Sequence, residues 1–195
     1  MDIKKDLSAA ILVGRSTRMG RDKAFLMLGQ QTFIGHLAQT LSVCREVFIS
    51  TAERKDFSEY GLKVIEDENR GIGPMEGIRQ SLRHAKTDHV FICSVDTPFV
   101  RSEMIRYLAG FVSSDHDVYV FRDADRVHPL CGIYSRTVLP VTEKMIMEGR
   151  YRMMDLLSCV RTKYVSLEAG GFPRETLSNI NTPEDYRKIL SDRPE

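Results

Sequence analysis

At 195 residues, 42% hydrophobic and 28% charged, the chain has the length and balance of one globular domain, able to bury a continuous core without disulfide or metal staples. Its 28 lysines and arginines nearly cancel 27 acidic residues, and a formal charge of +1 provides no broad field for holding nucleic acid. The mixed-charge start, Met1-Asp2-Ile3-Lys4-Lys5-Asp6, precedes no long apolar segment, and no run approaches the ~20 apolar residues of a membrane span, so a cytoplasmic location without membrane attachment is expected.

Ser8 to Val13 is a short apolar run closing at Gly14, the mark of a strand buried on both faces. The loop Gly14-Arg15-Ser16-Thr17-Arg18-Met19-Gly20-Arg21-Asp22-Lys23 follows and concentrates four cationic side chains around two glycines. A solvated turn has no need of them. Glycines admit close backbone approach, and Arg18 and Lys23 can neutralise phosphate charge, although the loop is neither a Walker A sequence nor G-x-G-x-x-G. On these features alone a phosphate site and a solvated turn both stay open.

Ile34, Leu37, Ala38 and Leu41 predict an amphipathic helix capped by Thr32, and Glu46 to Ser50 the next strand. A helix-prone polar stretch, Glu53 to Tyr60, leads through Gly61 to a strand at Leu62 to Ile65 and then to Asp67. Pro74 suits the first turn of a helix outlined by Ile78, Leu82 and Ala85. A further apolar strand, His89 to Val95, stops at Asp96-Thr97-Pro98. This alternation predicts an α/β fold: βαβ units making a mainly parallel sheet with helices on both faces.

Met104, Ile105, Leu108, Phe111 and Val112 outline another helix, and Asp117 to Phe121 a strand. Asp123-Ala124-Asp125-Arg126 reads as a turn into a second β run, Val127 to Tyr134, a late antiparallel excursion. Two helices and a strand complete the fold, with a last helix starting at Pro183. The four cysteines form no C-x-x-C pair, and Cys93 lies in an apolar run as a small buried hydrophobe. Met145, Met147, Met153 and Met154 are expected to be flexible core filling.

In an open parallel sheet, ligands bind beyond the carboxyl ends of the strands, where the charged loop, Ser50, Asp67 and Asp96 all fall. A carboxylate placed like Asp96 can hold a Mg²⁺ ion that also grips substrate phosphates; its competing role is a helix N-cap, since Asp96 and Thr97 precede Pro98.

Ile11-Leu12-Val13-Gly14-Arg15-Ser16-Thr17-Arg18-Met19-Gly20 with Asp22-Lys23 resembles L-A-G-G-x-S-x-R-M-G followed by D-K, the opening signature of the molybdenum cofactor guanylyltransferases within the sugar-nucleotide-type nucleotidyltransferases. The resemblance continues through Gly73-Pro74-Met75-Glu76-Gly77, Asp96-Thr97-Pro98-Phe99, His128-Pro129-Leu130-Cys131 and Asn179-Ile180-Asn181-Thr182-Pro183-Glu184-Asp185. It implies a single three-layer, Rossmann-like nucleotidyltransferase domain over residues 1–195, which binds GTP and Mg²⁺, transfers GMP to the terminal phosphate of molybdopterin and releases pyrophosphate.

By position, the resemblance places Leu12, Val13 and Gly14 at the nucleotide, Lys23 at its phosphates, Asp67 at the nucleoside end, and Asp96 at both GTP and the metal. Arg18, Lys23 and Asp96 would form the catalytic group. His128, Asn179 and Asn181 would meet the pterin substrate, His128 having an equally good structural reading and the asparagines an alternative as turn or cap residues. Arg150 and Arg152 would reach the molybdopterin phosphate or else open a solvated helix. Transient contacts with cofactor-delivery or acceptor proteins are further implied partners.

The chain departs from the pattern at Val13, where glycine is usual and a branched side chain would thicken the wall facing the nucleotide, and at Ser50, where some members have Asn. Alternative functions are a cytidylyltransferase for the same cofactor and a nucleotide-binding module without turnover.

Overall fold

The computed structural model describes residues 1–15, 22–124 and 126–191; Arg18, Arg21 and Asp125 lie outside the described residues. After a single helical turn, α1 (Ile3–Asp6), comes β1 (Leu7–Val13), buried along its whole length as the apolar run requires. A minimal hairpin of β2 (Met27–Leu28) and β3 (Gln31–Thr32) leads into α2 (Phe33–Leu41), where Thr32 accepts the Gly35 N–H as its cap. Next come β4 (Val47–Thr51), β5 (Lys63–Glu66), α3 (Pro74–His84), β6 (His89–Ser94) and α4 (Ser102–Ala109). The chain finishes with β7 (Val118–Arg122), β8 (Val127–Ser135), α5 (Leu139–Met147), α6 (Met153–Cys159), β9 (Thr162–Ser166) and α7 (Pro183–Ser191).

Seven strands form one sheet in the order β5-β4-β1-β6-β8-β7-β9, with only β8 antiparallel to its neighbours. The expected late antiparallel excursion is this strand. Because alternate residues of a strand point to opposite faces, β1 feeds two cores. Ala9, Ile11 and Val13 pack with Phe33 and Leu37 of α2 and Ile105 of α4; Ala10 and Leu12 pack with Met75 and Ile78 of α3 and Leu156 of α6.

From β1 the chain builds outward through β4 to β5, then crosses back to lay β6 on the other side of β1. That reversal opens a crevice beyond the carboxyl ends of β1 and β6, where α/β sheets take their ligands.

Several local expectations are corrected. The stretch 53–60 holds only a 3-10 turn, Ser58–Tyr60. Thr51 Oγ1 donates to the Glu53 carbonyl at 2.8 Å and Asp56 Oδ1 accepts the Ser58 N–H at 2.9 Å, local bonds that outcompete a helix. Phe111 and Val112 lie past the end of α4, packed on the core from a turn. Met145 is buried, but Met147 is 81% and Met154 47% exposed, so neither fills the core. Cys93 is fully buried as expected, and burial pushes its thiol up to about 12.

Candidate functional site

Lys23 enters the crevice from a 3-10 turn, Lys23–Phe25, whose start is fixed by Asp22 Oδ1 accepting the Ala24 N–H at 3.1 Å. Its ammonium donates to Asn181 Oδ1 and lies 3.8 Å from Asp96 Oδ2, with the Lys23 and Asp96 side chains 15% and 18% exposed. Asp96 sits in a tight turn after β6, in which Thr97 donates from both N–H and Oγ1 to the Ser94 carbonyl. The Asp96 carbonyl accepts the Ile180 N–H at 2.8 Å. The next helix starts at Ser102 behind Arg101, so Asp96 is no helix cap.

The second carboxylate oxygen, Asp96 Oδ1, is buried and without a hydrogen-bond partner among the described residues. A hard anionic oxygen left open in this way fits Mg²⁺, which keeps few protein ligands. No group of three or more His, Cys, Asp or Glu that could hold a metal occurs among the described residues.

The other wall combines β1, β4, β5 and α3. The Leu12 and Val13 carbonyls accept the Val95 and Ala52 N–H groups at 3.0 and 3.2 Å, stitching the strand ends into a rim. Val13 is 2% exposed and its side chain belongs to the core under α2, which corrects the expected thickening of the nucleotide wall: strand alternation turns that side chain inward. Beside Gly14 a Cβ would meet nothing within 4 Å. At Gly77 a Cβ would come within 3.0 Å of Leu12 Cδ2 and 3.5 Å of Ser50 Oγ, so the absent side chain is what lets α3 close on the strand ends.

Asp67 lies one residue beyond β5, its N–H bonded to the Thr51 carbonyl and its Oδ1 3.5 Å from the Ser50 hydroxyl. Burial, reinforced by the Glu76 carboxylate, pushes the Asp67 carboxyl up to about 6. Burial would also raise Glu76, but hydrogen bonds from Arg79, Asn69 and Gln80 outweigh it and hold that carboxyl at about 2. Glu76 is thus a fixed buried anion, and by accepting the Glu68 and Asn69 N–H groups at 3.0 and 3.2 Å it ties the loop after Asp67 to α3.

The opening loop is spent differently from the sequence expectation. Arg15 Nε is 2.6 Å from Glu53 Oε1, and Lys55 Nζ lies 3.3 Å from Glu53 Oε2 and 2.7 Å from Asp22 Oδ2. Arg15 above all, then Lys55, holds the Glu53 carboxyl below its usual range. Lys23 is therefore the cation of this loop that the structure places against Asp96, whereas Arg18 falls outside the described residues. Sequence reasoning missed Lys55 and Glu53, whose partners lie on another loop and leave no local pattern.

The residues expected near the second substrate are dispersed. His128 Nε2 pairs with Asp123 Oδ2 at 3.0 Å across the β7–β8 turn, which is its structural reading. Asn181 braces Lys23, but Asn179 lines a separate hollow of about 470 Å³ with Phe99, Arg101 and Lys188, so the two amides serve different neighbours. Arg150 pairs with Glu148 at 3.3 Å and approaches Cys159 Sγ at 3.6 Å, and Arg152 flanks the start of α6. Both arginines are exposed, matching the solvated alternative.

Residues 9–164 match the sequence profile described as the MobA-like NTP transferase domain. The chain is 35% identical to a "probable molybdenum cofactor guanylyltransferase" of Carboxydothermus hydrogenoformans, over 95% of this chain and 96% of that one. In fold it is similar to the molybdopterin-guanine dinucleotide biosynthesis protein A of Archaeoglobus fulgidus, with a TM-score of 0.83 at 24% identity, covering 95% and 97% of the two chains. A protein from Aquifex aeolicus VF5 superposes with a TM-score of 0.76 at 30% identity, covering 92% and 95%.

Proposed function

The chain belongs to the family of MobA-like NTP transferase domains and is a nucleotidyltransferase, and from that premise we propose that its donor is GTP and its acceptor the terminal phosphate of molybdopterin. The observation that carries this reading is the Lys23–Asp96 pair, 3.8 Å apart in the crevice between β1 and β6, with Asp96 Oδ1 unpartnered among the described residues. Its GTP preference rests on the guanylyltransferase names of the relatives.

Nucleotidyl transfer is a displacement at the α-phosphorus in which the protein chiefly positions groups and stabilises charge. The acceptor phosphate is already a competent nucleophile, so no dedicated base is required. Lys23, oriented by Asn181, places one positive charge where charge builds on the α-phosphoryl group and the departing pyrophosphate. Arg18, from the same loop, is proposed to share that task. Asp96 is the residue that would hold Mg²⁺, which when bound supplies Lewis-acid stabilisation of the phosphates. Leu12, Val13 and Gly14 would border the nucleotide and Asp67 receive the nucleoside end. Asn181, which braces Lys23, is the proposed acceptor-side residue.

Incubation with each nucleoside triphosphate, Mg²⁺ and molybdopterin tests the reading. GMP transfer with pyrophosphate release is expected; CMP transfer would make the protein a cytidylyltransferase, and binding without pyrophosphate release a module without turnover. Asp96→Asn should lower kcat by roughly 10²-fold or more. A wild-type rate at saturating Mg²⁺ would remove Asp96 from the mechanism.

A further inference from the structure

We propose that Lys55 is a positioning residue that sets Lys23 for the triphosphate by acting through Asp22. The inference deepens the nucleotidyl-transfer reading and rests on it for the ligand. Asp22 divides its carboxylate between two tasks: Oδ1 starts the 3-10 turn that carries Lys23, and Oδ2 takes the Lys55 ammonium at 2.7 Å. Lys55 is itself only 15% exposed and comes from a loop in which Thr51 and Glu53 bond each other locally and Glu53 Oε2 lies 3.3 Å from the Lys55 ammonium.

The same loop reaches the opening turn from both sides. Glu53 takes Arg15 at 2.6 Å before the turn, Lys55 takes Asp22, and Phe25 at the end of the turn stacks on Phe57 with ring centroids 5.6 Å apart. Phe57 is 1% exposed and anchors this segment in the core close to Lys55.

Lys55 also has an electrostatic task. Asp22 adjoins Lys23 in the chain, and a carboxylate there with its counter-ion removed would offset the positive potential that the phosphates meet. Pairing Asp22 with Lys55 keeps that neighbouring carboxylate compensated. An exposed ion pair would be worth little, but this one is largely shielded from water and joined to a backbone cap.

The test measures binding of Mg²⁺–tripolyphosphate and Mg²⁺–GTP by calorimetry, with KM and kcat for transfer, in wild type, Lys55→Met, Lys55→Arg, Asp22→Asn and the double variant Asp22→Asn with Lys55→Met. Lys55→Met should weaken tripolyphosphate binding and lower kcat/KM for GTP about tenfold. Lys55→Arg should restore binding, and in the Asp22→Asn background the Lys55→Met effect should shrink to about threefold or less.

Wild-type tripolyphosphate binding by Lys55→Met overturns the proposal, even where its melting temperature falls, since that marks a purely structural pair. An undiminished Lys55→Met loss in the Asp22→Asn background overturns it as well. If wild-type protein transfers no GMP while Lys55→Met still loses tripolyphosphate affinity, the functional reading fails and the role of Lys55 stands.

Discussion

Asp67 and Glu76 are neighbouring carboxyl groups pushed in opposite directions, one up to about 6 and the other down to about 2. Folding favours the protonated form of Asp67, so its contribution to stability is full below the unfolded value of 3.8 and is lost as pH rises through about 6. Asp67→Asn, neutral throughout, should lack this decline and exceed wild type at neutral pH by on the order of 2 kcal/mol. Urea midpoints measured across this range check it, and parallel profiles for the two proteins would contradict it. The same ionised group should receive the nucleoside, so GTP affinity of wild type should fall as pH drops below about 6. At this scale the motif-borne residues Lys23 and Asp96 were legible because signature and strand end coincide. Lys55 was not, because an ion pair between distant segments has no periodicity. The Val13 side chain turns into the core, against the expectation from its chemistry, because the strand's phase, fixed by packing, decides which way it points.

Among the elements, β8 shows most clearly how backbone proximity limits sequence. Between Val120 and Phe121 its register partner slips from Gly132 to His128, with Pro129 in the extra length, where a missing N–H costs no ladder bond. At Gly132 a Cβ would stand 2.6 Å from the Tyr119 carbonyl oxygen and 2.7 Å from Val120 Cγ1. Gly132→Ala should therefore destabilise by about 1–3 kcal/mol, seen as a lower denaturant midpoint at unchanged slope. A midpoint equal to wild type would mean that the two strands separate at no cost. The parallel strands, the Thr32 cap and Pro74 in the first turn of α3 were readable from apolar runs and turn residues. The β2–β3 hairpin, with two residues in each strand, is too short to carry a period, and the stretch 53–60 follows its ion pairs and side-chain bonds instead of its helix propensity.

For the molecule as a whole, alternation of strand and helix announced the sheet, whereas the two-sided core depends on which face each helix covers, something the chain order alone leaves undetermined. Ile11 and Ile92 are fully buried on opposite faces of the sheet. If residues 1–195 unfold as the single domain we propose, Ile11→Ala and Ile92→Ala should each cost about 2–5 kcal/mol and each shift one common transition. Separate transitions for the two faces, followed by near-ultraviolet circular dichroism and hydrogen exchange, would refute that unity.

The bond between Lys23 and Asn181 joins positions 158 residues apart, and the Ile180 N–H reaches back to Asp96 in the same way. A polypeptide still emerging from the ribosome therefore displays its early strands well before it owns the groups that brace them for chemistry. The brace on Lys23 and the hold on the Asp96 carbonyl are among the last parts of the fold to be joined.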